Sequence, residues 1–193
     1  MKTVKFALLL TVSSVILSAC SGLKSDPDIG LSPNTHNLES VNVRDFTEAP
    51  LRAEVKVFLP IPPEEAMEIV ADFENYSNWV VPPPEKVEVD NSETSEGGFG
   101  VGTKVSYKEG ESDIIEYYDE SLAMIARPLW GLDNFEGHRG VVLVSKHENG
   151  SIMHMRRYFD TKGPKGWFMS QMMPIFMEKS AKNLAEKHNG EVL

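Results

Sequence analysis

Val55-Lys56-Val57-Phe58-Leu59-Pro60-Ile61-Pro62-Pro63-Glu64-Glu65-Ala66-Met67-Glu68-Ile69-Val70-Ala71-Asp72-Phe73-Glu74-Asn75-Tyr76-Ser77-Asn78-Trp79 is the stretch that decides the fold. Its first part extends back to Leu51. Ala53, Val55, Val57 and Leu59 share one face and Glu54 and Lys56 the other, the alternation of a half-buried strand. Pro62-Pro63-Glu64-Glu65 then opens a helix, because proline suits the first turn and acids suit its positive end. Ala66, Ile69, Val70 and Phe73 recur at helical spacing. A second short helix or turn carries Tyr76 and Trp79, and Pro82-Pro83-Pro84 stops it.

Downstream the pattern turns to β. Short strands fit Lys86 to Asp90, Thr103 to Lys108, Asp113 to Tyr118 and Leu122 to Pro128. Gly140 to Lys146 and Ile152 to Phe159 are joined through Asn149-Gly150, a two-residue hairpin signal. Gly97-Gly98-Phe99-Gly100 is a loop with no helix after it, so it is not a phosphate cradle. Gly166 to Lys187 reads as a long helix interrupted at Pro174. The predicted class is α+β.

This order, with the Pro-Pro-Glu-Glu helix start, Phe73-x-x-Tyr76-x-x-Trp79 and Gly100-Val101-Gly102-Thr103 opening a strand, resembles the SRPBCC superfamily of START, Bet v 1-like and polyketide cyclase/dehydrase-like domains. The likeness covers about Leu51 to His188. It implies a helix-grip fold: a curved antiparallel sheet wrapped around the C-terminal helix, two short helices after the first strand, and a cavity between sheet and helix.

The hairpin assigns faces. With Asn149-Gly150 as the turn, Val144 opposes Met155 and Val142 opposes Arg157. One face then holds Val142, Val144, Met153, Met155, Arg157 and Phe159; the other holds Val141, Leu143, Ser145, His154, Arg156 and Tyr158. The first is the more apolar and is expected to face inward. Trp167, Phe168, Met172 and Phe176, on the apolar first half of the last helix, complete a candidate ligand-binding wall with Trp79. Methionines there suit a wall that repacks, although core packing explains the same stripe. Arg157, if inward, needs a partner. Glu54 and a ligand carboxylate are the two candidates.

The N-terminus reads as an export signal. Lys2 and Lys5 precede an uncharged run from Phe6 to Leu17, too short to span a bilayer easily. Leu17-Ser18-Ala19-Cys20 resembles the lipobox of bacterial lipoproteins, which implies cleavage before Cys20 and lipid on its thiol. The expected organisation is residues 1–19 as signal, 20–50 as a lipid-anchored tether and 51–193 as the domain. The end of the tether, Val41 to Phe46, is a candidate for packing on the domain. Ser21, not Asp, follows the cysteine, which by the same likeness favours the outer membrane, facing the periplasm.

Formal net charge is −10; Lys2 and Lys5 leave with the signal, so the mature chain carries about −12. Such a surface repels nucleic acid and anionic headgroups, leaving the membrane contact to the lipid. Cys20 is the only cysteine, so no internal disulfide forms.

Glu116, Asp119, His138, Arg139, His154, Arg156 and Arg157 are the polar residues that chemistry might recruit, with His138-Arg139 in a loop at the cavity mouth. They form no recognisable catalytic set. No metal-ligand spacing or Gly-x-Ser-x-Gly nucleophile occurs, and no cofactor is expected. The leading reading is binding or transfer of a hydrophobic, lipid-like molecule. A cyclase or dehydratase-like enzyme and a partner-binding envelope protein without ligand are the alternatives.

Overall fold

The computed structural model describes residues 41–95, 97–119 and 123–193. The expected export signal, Cys20 and the expected tether up to residue 40 lie outside the described residues.

Strand β1 (Leu51–Leu59) leads into α1 (Pro63–Ala71) and a 3-10 helix (Phe73–Asn78). Six strands follow: β2 (Glu88–Asp90), β3 (Lys104–Lys108), β4 (Glu111–Asp119), β5 (Ala123–Pro128), β6 (Phe135–His147) and β7 (Gly150–Thr161). Helix α2 (Gly163–His188) and the short β8 (Glu191–Val192) close the chain. The strands form one curved antiparallel sheet in the order β2-β3-β4-β5-β6-β7-β1-β8. This is the expected helix-grip fold. The first residue of α1 is Pro63, with Glu64 and Glu65 in its first turn.

The concave face packs on both helices. Ala53, Val57 and Leu59 of β1 join Val144, Met153 and Met155, with Ala66, Met67 and Val70 of α1 and Met177, Ala181 and Leu184 of α2. At the end of α2, Asn189 takes a left-handed conformation (φ 54°) and its N–H donates to the Ala185 carbonyl. Gly190 follows against the Phe58 carbonyl, where a Cβ would overlap it. The chain thereby turns back for β8 to pair with β1.

The convex face is covered too. Val41 and Val43 are buried there with Ala123, Ile125, Val141, Leu143 and Tyr158. Thr47 Oγ1 donates to the Gly137 carbonyl at 2.6 Å, and Arg44 Nη1 to the Ala49 carbonyl at 3.0 Å. The packed chain therefore begins before Leu51: Val41 to Pro50 is a strap on the sheet and belongs to the domain. Its apolar side chains cover a hydrophobic patch on the convex side of the central strands β5, β6 and β7.

Two expectations change. The hairpin pairs His147 with Gly150, so Glu148-Asn149 is the loop and Val144 opposes Met153, two positions from the predicted pairing. Because the shift is even, every side chain keeps its face. Helix α2 also runs unbroken through Pro174. That residue lies on the exposed side, where water can satisfy the carbonyl that proline leaves unpaired.

Candidate functional site

The inward face contains a polar cluster. Asp113 of β4 and Val105 of β3 are register partners, so they share the concave face with Tyr107, two residues on. Tyr107 Oη donates to Asp113 Oδ2 at 3.2 Å, and Trp130 Nε1 donates to Asp113 Oδ1 at 3.0 Å. Asp113 is 5% exposed. Burial pushes its carboxyl up, opposed by the field of Arg157 and by these two donors. Burial and the neighbouring Asp113 push the Tyr107 phenol up as well.

Arg157 points inward as expected. Its register partner is Gly140, where a Cβ would overlap the guanidinium, so the glycine makes the space that Arg157 occupies. Nη1 is buried with no hydrogen-bond partner among the described residues. Glu54 is not its partner. It lies on the convex face, where it accepts from His154 Nε2 at 2.7 Å. Arg156 faces the same ring, with Nη2 3.0 Å from Nδ1 and Nε 3.1 Å from Nε2. Burial and Arg156 hold the His154 ring down at about 4, outweighing Glu54.

His138 differs from its expected place at a loop mouth. It lies in β6 and is 3% exposed. Gly137 before it (φ 61°) sits in the irregularity between Glu136 and Arg139. Trp130, Phe135 and Phe159 surround the His138 ring with centroids at 5.2, 5.4 and 5.5 Å. Burial, then Arg157 and Arg139, lower it to about 3, so it is neutral. Neither ring nitrogen has a partner among the described residues.

The other candidates divide. Trp79, Val144, Met153 and Met155 lie in the concave core, with Val142 half-buried at its border. Phe159 is sealed beside His138. Met172 and Phe176 are half-buried but outside that core, in which Met173 packs instead. Trp167 and Phe168 are exposed, at 61% and 60%. Ile175 in the same half of α2 is exposed too. Glu116 accepts from Arg127 at 2.5 Å and Arg139 at 2.6 Å on the convex side. An open recess of about 420 Å³ there is lined by Phe46, Gly102, Glu116 and Arg139.

Asp113, Tyr107 and Trp130 were not singled out from sequence. The strand alternation that places Ile115 inward also places Asp113 inward, but an acid between Ser112 and Ile114 reads as solvent-facing until its donors are known. Among the described residues no cluster could hold a metal ion, and no helix is long and apolar enough to cross a membrane.

No curated protein matches the chain significantly. Several solved structures share the fold at low identity. A Thermobifida fusca protein studied in solution has a TM-score of 0.54 at 13% identity, covering 69% of this chain and 93% of its own. A START superfamily protein from Mycobacterium smegmatis gives 0.50 at 14%, covering 71% and 96%. The di-domain ARO/CYC StfQ of the steffimycin biosynthetic pathway gives 0.52 at 10%, covering 70% of this chain and 48% of its own. The family model described as polyketide cyclase / dehydrase and lipid transport matches residues 50–188, from the start of β1 to the end of α2, and the chain belongs to that family.

Proposed function

We propose that this is a lipid-anchored protein of the bacterial cell envelope, outer-membrane bound and facing the periplasm, that binds or transfers a hydrophobic small molecule between its sheet and α2. The observation carrying the reading is an uneven seal on the concave face. Tyr107, Tyr118, Val142 and Arg157 point inward yet are only half-buried, while Val144, Met153 and Phe159 beside them are closed off. An apolar ligand entering there would meet tyrosine, valine and methionine before the Asp113 cluster. That combination of apolar walls with a few placed polar groups is the ordinary make-up of a small-molecule site. Native mass spectrometry of the full chain, gently released from the membrane that produced it, should show an added mass that organic extraction removes. A chain that carries nothing and takes up no apolar molecule from vesicles would sink the reading.

Catalysis of the cyclase or dehydratase type is a second reading, favoured by one observation: a buried carboxyl, Asp113, hydrogen-bonded by a phenol. Such a group could move a proton in an apolar site. Turnover of a poly-β-ketone substrate should then fall at least about a hundredfold in Asp113→Asn. Equal turnover in the variant would remove this reading.

A further inference from the structure

We propose that the polar end of the bound molecule is an uncharged oxygen group, a hydroxyl or ketone carbonyl, seated against Arg157 and His138, and that a carboxylate is rejected. The inference rests on the ligand-binding reading above.

It follows from charge balance and unused hydrogen-bonding capacity. Trp130 Nε1, a donor only, and Tyr107 Oη occupy the two oxygens of Asp113, as they would those of a carboxylate. Held as a carboxylate by those two donors against the push of burial, Asp113 balances the positive charge of Arg157 on the same inward face, within its field. His138 adds none, because the neutral ring is the stable form in its aromatic surround. The interior is therefore already neutral. An entering carboxylate would leave one negative charge unbalanced in a region of low dielectric, which is strongly disfavoured.

The hydrogen bonds are not complete, however. Arg157 Nη1 offers an unused donor, and the two His138 nitrogens offer one donor and one acceptor in the neutral ring. Trp130 bridges Asp113 and His138, donating to the carboxylate while its ring meets the imidazole edge-on at 5.2 Å, and Arg157 lies within the field of both. A hydroxyl can accept from one group and donate to another; a carbonyl can accept from either. Both satisfy buried atoms without adding charge. Buried polar atoms in folded proteins nearly always have partners, which makes three orphans in one cluster a pointer to a ligand.

Cetyl alcohol and palmitate share an alkyl chain and differ at the head. Their affinities for the purified full chain, measured near neutral pH by equilibrium dialysis, decide the matter. The alcohol should bind at least about tenfold more tightly. In Asp113→Asn the internal counter-charge is gone, and palmitate should become the preferred ligand. Should that variant not fold, Arg157→Gln serves: the alcohol should weaken and palmitate should not gain. Palmitate favoured by the unaltered chain would overturn the charge argument and leave ligand binding standing. An unchanged preference in folded Asp113→Asn would also overturn it. Binding of neither probe would count against the reading beneath it.

Discussion

Replacing Phe159 by alanine is expected to lower the stability of the domain by about 4 kcal/mol, within the range for truncating a fully enclosed aromatic side chain. Phe159 has no exposed surface. Its ring lies 4.8 Å from that of Phe135 and 5.5 Å from that of His138. Its N–H donates to the Pro50 carbonyl and its carbonyl accepts from Arg52, so the backbone is pinned and the site cannot collapse to fill the void. The urea midpoint reads the loss, with the slope unchanged if the native fold persists. A second consequence is specific to this position. The cavity would open beside His138, whose ring is held down to about 3 mainly by burial. Water entering there should move its titration up towards the ordinary range, followed by the imidazole proton resonances. A small loss of stability with His138 unmoved would mean that Phe159 is not what keeps water from the imidazole.

Much of the concave face is legible in the sequence, because it depends on parity. The alternation in β1 and the apolar face of the last hairpin assigned Val144, Met153, Met155 and Arg157 to the interior, and the two-residue register error left that assignment intact. Had the slip been odd, each would have pointed outward. What the sequence hid depends on non-local contact. Glu136-Gly137-His138-Arg139-Gly140 has the composition of a loop, yet it is a strand: Gly137 turns within the irregularity, and Gly140 yields space to Arg157. Neither role shows in local composition. Asp113 is intelligible only with Trp130, seventeen positions away, to donate to it. The apolar first half of α2 reads equally as core or as ligand wall, and the described chain leaves its Trp167, Phe168 and Ile175 exposed.

Substituting Cys20 by serine is expected to move almost all of the protein from the membrane fraction to the soluble fraction. The reason is the size of the terms competing at the bilayer. Each buried methylene of an acyl chain contributes about 0.8 kcal/mol, so one chain gives marginal binding and two or more give a lasting anchor. Lipid on Cys20 would supply such an anchor in a single modification. Little else in the chain pulls as strongly. The full chain's formal charge of −10, which would become about −12 on the proposed cleavage, gives no attraction to anionic headgroups. The exposed side chains of Trp167, Phe168, Leu132 and Ile175 are the rival contact, four residues against whole acyl chains. Cell fractionation with immunoblotting distinguishes the two contacts. Release of Cys20→Ser assigns attachment to the lipid. Retention that is abolished only when Trp167 and Phe168 are also replaced would assign it to the helix, and the lipid-anchor reading would fail.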